Sequence, residues 1–145
     1  MSYDTERRAI EAYVTAQWGA ANVIMDAHAG EPTSGQISLT INNGLTMQGS
    51  VGRSSNRIDY IGLLQIRIYT KAGEGSAAWR GIAETLKGLF LNKRIDNAGV
   101  EISAVDDEFI RFSPRGQHPY VAGSDTQAGM MTTTFNVPFV RYETE

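Results

Sequence analysis

Three groups of residues have types and spacings that could carry chemistry. The first is Gly73-Glu74-Gly75, set between an expected strand and an expected helix. A glycine-rich turn at a helix N-terminus can cradle phosphate on its backbone N–H groups. Here Ala78 stands where the third glycine of a dinucleotide loop belongs, no Gly-Lys-Ser/Thr follows, and Glu74 repels an anion. The stretch therefore reads as a plain strand-to-helix turn. The second group is Asp26 and His28, two apart on one expected strand face and so able to hold a metal ion between them. The chain has only one other histidine, His118, and no cysteine, so the rest of a ligand set is missing. The third is Asp106-Asp107-Glu108. It lacks the spaced oxygen ligands and central glycine of a calcium loop, so it reads first as a solvated acidic turn. No Gly-x-Ser-x-Gly elbow occurs, and Arg111 and Arg115 around Phe112 are too close to the acidic run to suit nucleic acid. We expect no catalytic residue, no metal and no cofactor.

Composition narrows the class further. A chain of 145 residues fits one domain spanning residues 1–145 and can bury a core without disulfides. The absence of cysteine excludes disulfide and thiolate chemistry. A net charge of −3 argues against general affinity for nucleic acid or anionic membrane. No apolar run is long enough to span a bilayer, and no signal peptide is expected at the start, so a soluble protein made in the cytoplasm is expected.

The elements that would position any site follow from periodicity. Residues 58–69 alternate: Ile58, Tyr60, Gly62, Leu64, Ile66 and Ile68 form an apolar face, and Asp59, Ile61, Leu63, Gln65, Arg67 and Tyr69 a mixed one. Trp79, Ile82, Ala83, Leu86, Leu89 and Phe90 then recur at helical spacing. Ser76 is the expected N-cap, and Gly81 and Gly88 are expected to face a closely packed neighbour. A first helix is expected over residues 4–18, capped by Ser2 or Asp4, with Ile10, Tyr13, Val14 and Trp18 buried. Strands are expected at 22–28, 36–41, 100–105, 109–113 and 129–142. Asn42-Asn43-Gly44 suggests either a hairpin turn or a bulged extension into Leu45-Thr46-Met47. Residues 48–57 and 114–128 read as two long polar loops. Pro138 lacks a ladder donor, which predicts an edge or bulged position for the last strand. Clustered strands with two principal helices predict an α+β fold: a mainly antiparallel sheet with the helices packed on it and long surface loops.

Several stretches, in order, resemble the phage tail terminator family, the small tail completion proteins that cap the tail tube of long-tailed phages. The first helix ends at Ala16-Gln17-Trp18. Gln36-Ile37-Ser38-Leu39-Thr40-Ile41 leads to a glycine-bearing connection through Gly49 and Gly52. Gly62-Leu63-Leu64-Gln65-Ile66-Arg67-Ile68-Tyr69 is similar to the family's strand of the form Gly-x-hydrophobic-Gln-hydrophobic. Gly73-Glu74-Gly75 opens a helix ending Gly88-Leu89-Phe90, and Asn136-Val137-Pro138-Phe139-Val140-Arg141-Tyr142 is similar to the final strand. The resemblance covers nearly the whole chain, through ordinary residues and no diagnostic motif.

It implies a structural virion protein of the tail, assembled in the host cytoplasm as a homo-oligomeric, hexameric ring. The ring would stop tube polymerisation, bind the tail tube protein and present a surface to the head–tail connector, with DNA passing through unbound. It implies no reaction, cofactor or membrane. On that expectation Gln65, Arg67, Tyr69, Arg53, Arg57 and Arg115 are candidate subunit or tube contacts, and Asp106, Asp107 and Glu108 are candidate channel-lining residues. Other readings are a head–tail joining or tail tube subunit and, in a different class, a small-ligand-binding α+β domain.

Overall fold

The computed structural model describes residues 1–24, 32–49, 56–73, 75–103, 108–127 and 129–144. Asp26, His28, Arg53, Glu74, Asp106 and Asp107 lie outside those residues. In chain order the elements are α1 (Tyr3–Trp18), β1 (Val23–Ile24), β2 (Ile37–Gln48), β3 (Arg57–Lys71), α2 (Ser76–Phe90), β4 (Arg94–Ile95), β5 (Phe109–Phe112), β6 (Tyr120–Gln127) and β7 (Met130–Thr144). The seven strands form one sheet in the order β1-β2-β3-β7-β5-β4, with β6 also paired to β7. Only β1 and β2 run parallel; the other pairs are antiparallel. The fold is α+β with a mostly antiparallel sheet.

The alternation in β3 sets the inner face. Leu64, Ile66 and Ile68 are fully buried opposite Val137, Phe135 and Thr133 of β7. Ile37 and Leu39 of β2 stand beside them in register with Ile68 and Ile66. The same cluster holds Ile10, Tyr13 and Val14 of α1 and Trp79, Ala83, Leu86 and Phe90 of α2. Tyr13 joins the two helical stripes: its hydroxyl donates to the Leu89 carbonyl at 2.5 Å, and its ring meets Phe90 and Phe112. Ser2 caps α1 by accepting from the Thr5 N–H at 3.1 Å.

The structure corrects several expectations. Of the two forms expected at residues 42–47, the structure has the bulged extension and not the hairpin turn: β2 runs on to Gln48, with its register to β3 shifting between Asn43 and Thr46. The bulge absorbs Gly44, which no turn is needed to explain. Gly75, at φ +76°, takes the N-cap place of α2 and no side chain caps the helix, so Ser76 becomes its first residue. Gly81 and Gly88 face open space, with nothing within 4 Å of an added Cβ. The described residues of the 100–105 stretch form no strand. Ala98 and Val100 give their N–H groups to the Asp96 carboxylate, and Gly99 at φ +81° lies so near α1 that a Cβ would meet the Ala9 carbonyl at 2.5 Å. That turn leaves only a single bridge, Ile95 to Glu101.

The largest difference is β6, which occupies most of the stretch expected to be a loop. It pairs with β7 from Gln127 opposite Met130 back to Tyr120 opposite Asn136. Its side chains at 120–126 are exposed, so no apolar period announces it. The last strand is also central, contrary to the edge position that Pro138 predicted. β6 covers residues 130–136 along one side of β7 and β5 covers residues 139–142. The Ser113 N–H donates to the Pro138 carbonyl, so the nitrogen side of Pro138 faces this seam and not the β3 ladder.

Candidate assembly surface

On the outer face of the sheet the odd-numbered residues of β3 meet their partners across β2, β7 and β6. Gln65 stands opposite Thr40 and Asn136, Arg67 opposite Ser38 and Thr134, and Tyr69 opposite Thr132. The sequence placed Gln65, Arg67 and Tyr69 together by alternation alone, and the structure keeps them together. The Tyr69 hydroxyl lies 3.2 Å from Ser38 Oγ, which steadies the ring against β2. Arg67 is exposed and forms no ion pair among the described residues. An open groove of about 500 Å³ runs across this face, lined by Arg67, Tyr69, Gly123, Ser124, Asp125, Thr132 and Thr134. Its chemistry is a guanidinium, a carboxylate and a row of hydroxyls, which suits polar contact and offers no paired acid and base.

Arg57 and Arg115, also candidate contacts, lie away from the groove and converge on one carboxylate. Asp59 is buried on the outer face, with Arg57 Nε 3.0 Å from Oδ1 and the Arg115 guanidinium 3.6 Å from Oδ2. The Arg57 guanidinium also lies 4.9 Å above the Tyr142 ring. Gly49 makes room for this pair, since a Cβ there would sit 2.6 Å from Arg57 Nε. Beside it Phe109, Val140 and Tyr142 form a second small apolar cluster with Ile61 and Ile102. Burial of Asp59 follows from its place opposite Tyr142 in the ladder, at the one end of the outer face that is apolar.

A third group lay unread in the sequence. Arg141 is almost wholly buried, with Nε donating to Glu6 at 3.1 Å and Nη1 lying 2.8 Å from Glu143 and bonded to the Met1 carbonyl. Its guanidinium lies 3.8 Å over Tyr60 and 5.1 Å over Tyr3. Asn43 Nδ2 fills the other oxygen of Glu6 at 2.9 Å. The Met1 ammonium pairs with Glu143 and, at 2.8 Å, with Glu108. Burial is the largest influence on that ammonium and disfavours its charge, but hydrogen bonds to Glu108 and Glu143 outweigh it and raise the pKa. Burial, helped by the Glu143 charge, likewise raises Tyr60. Glu108 thus spends its charge on the chain's own N-terminal group. A signal for this cluster did exist: Arg141 continues the alternation of Phe135, Val137 and Phe139, and Glu6 sits four residues before Ile10 on the buried stripe of α1.

No group of three or more potential metal ligands occurs among the described residues. No helix among them is long and apolar enough to cross a membrane. No family model matches the chain, and no curated protein matches it in sequence. A solved protein structure superposes with a TM-score of 0.66 at 17% identity, over 97% of this chain and 96% of the other. At that identity the likeness shows the fold alone.

Proposed function

We propose that this chain is a ring-forming structural subunit of a phage tail, a terminator that caps the tail tube, stops its polymerisation and offers a surface to the head–tail connector. In this reading the two helices pack together on the inner face of the sheet and back the ring wall, while the outer face meets tube or neighbour. The observation that carries the proposal is the outer face: Gln65, Arg67 and Tyr69 stand in line on the long central strand β3, beside a polar groove, with Arg67 exposed and Gln65 and Tyr69 half-buried. The ordered series of stretches resembling the tail terminator family supplies the partner. Asp106, Asp107 and Glu108 remain proposed for the channel wall, where the charge that keeps DNA from sticking falls to Asp106 and Asp107, since that of Glu108 is matched by the Met1 ammonium.

The test is to polymerise the tail tube protein with and without this chain and measure tube lengths by negative-stain microscopy. Tubes that stop growing and carry a terminal ring support the reading. Unchanged length distributions with bare ends overturn it. The groove itself favours one other reading, a polar small-ligand site, and that reading predicts saturable binding of a small molecule that Arg67→Ala abolishes.

A further inference from the structure

Besides the short outer edges of β1 and β4, two longer strand edges of the sheet have no partner strand among the described residues, and they lie on opposite sides of the β3–β7 pair. One is β2 over residues 39–47, beyond the two residues that β1 covers. The other is the outer edge of β6. Residues 42–48 are exposed on both faces of β2, as are residues 120–126 of β6. Six large apolar or aromatic side chains stand exposed among the described residues, and four of them are here: Leu45 and Met47 on β2, Tyr120 and Val121 on β6. Natural edges are guarded by lysine, proline or an inward charge. Apart from one register shift each, these carry none of those guards, and Asp125 is the single charged residue on either segment.

Their directions are complementary. Across β2, β3, β7 and β6 every pairing is antiparallel, so β6 runs opposite to β2. A second copy placed alongside in the same orientation brings its β6 antiparallel to the first copy's β2 and continues the alternation. Backbone donors are available on both edges. The Gly49 N–H turns inward to the Arg57 carbonyl at 2.7 Å, so by alternation the Thr46 N–H turns outward. The Thr126 N–H bonds only to the neighbouring Asp125 carboxylate, at 2.9 Å.

We propose that the β2 edge of one copy of this chain pairs head-to-tail with the β6 edge of the next. The inference rests on the ring reading and names its subunit contact. The two edges carry one charge between them, Asp125, so a chain of net charge −3 associates there without facing like charges at the seam. A β2–β2 contact between two copies would leave both β6 edges bare, whereas the head-to-tail contact covers both of these edges in every copy once the ring closes. The free part of β2 is offset from β6 along the strand direction, because Tyr120 is level with Thr40 through Asn136 and Gln65. Closure therefore tilts the strands to the ring axis, as stagger does in a barrel.

Thr46→Pro removes the outward donor of β2, and Thr126→Pro that of β6. Met47→Lys and Val121→Lys guard the same edges without touching the backbone, and circular dichroism verifies that the variants tested are folded. Mass photometry and analytical ultracentrifugation then read assembly across concentration. Wild type is expected to form higher oligomers, and each single-edge variant to stay monomeric alone. An equal mixture of a β2 variant and a β6 variant retains one working edge of each kind and is expected to give dimers and nothing larger. A wild type that stays monomeric at every concentration overturns the proposal, as does a β6 variant that assembles like wild type. Oligomers untouched by either edge variant overturn this contact but leave the terminator reading standing. Edge variants that abolish assembly, with tubes that wild type never caps, sink the terminator reading and leave the contact standing.

Discussion

Arg67 and Arg141 sit on neighbouring strands of one sheet, and their surroundings are opposite. Arg141 projects to the inner face at 1% exposure and is matched by two carboxylates, a backbone carbonyl and the faces of two tyrosines. Arg67 projects to the outer face beside an open groove and has no ion pair among the described residues. A guanidinium in the core is kept only where every donor is met, because an unpartnered buried charge costs several kcal/mol. A guanidinium on an open face needs no partner for folding. The inner arginine is thus read as architecture and the outer one as contact.

The sharpest way to break that contrast is Arg141→Ala. It strands Glu6 in the core, and chemical denaturation is expected to show a loss of about 3–5 kcal/mol. A loss below about 1 kcal/mol would place Arg141 with the surface charges. Tyr13 offers a second handle on the inner face. Burial, with the Glu101 charge adding to it, pushes its hydroxyl up to about 12 from 10.0. Because the folded value is the higher one, its contribution is full below pH 10 and is lost as pH rises towards 12. Melting followed over that window should show about 2–3 kcal/mol lost in wild type and a shallower decline in Tyr13→Phe.

Gly62→Ala probes packing between the two central strands. An added Cβ would lie 2.3 Å from Phe139 Cζ, and a loss of about 1–3 kcal/mol is expected by thermal melting. The smallest effect on stability belongs to Arg67→Ala, within about 0.5 kcal/mol of wild type. The same substitution is expected to weaken tube capping in the polymerisation assay. If it unfolds the protein and spares capping, the two arginines have exchanged roles and the reading of the outer face fails.

What could be seen in the sequence depended on whether burial is periodic. β3 and the stripes of α1 and α2 announce themselves because each buries one face and leaves the other wet. The trio Gln65, Arg67 and Tyr69 followed from the same alternation. β6 exposes both faces and is held by backbone pairing to β7, so its composition looks like a loop. Pro138 misled for a different reason: it forbids one donor on one side, and the seam between β5 and β6 is where β7 can do without it. Arg57 and Asp59 are two apart on β3, but the approach of Arg115 from the turn after β5 joins residues far apart in the chain, and no local pattern carries that information. The Glu6–Arg141 pair did leave a trace, since both charges fall in phase with apolar stripes, a position where an unmatched charge would not survive.

The place of β7 between β3 and the β5–β6 pair also bears on how the molecule is made. β3 meets β2 across a short connection, but its partners in β7 lie roughly 60 to 90 residues further along the chain. Until they arrive, the apolar edge and face of β3 stand uncovered beside two helical stripes. Folding is therefore expected to be slow for a domain of this size and to wait on one long-range closure. A fragment ending after α2 should expose that surface and aggregate, and adding the β5–β7 segment as a separate peptide should restore a soluble fold only when the two are mixed before collapse.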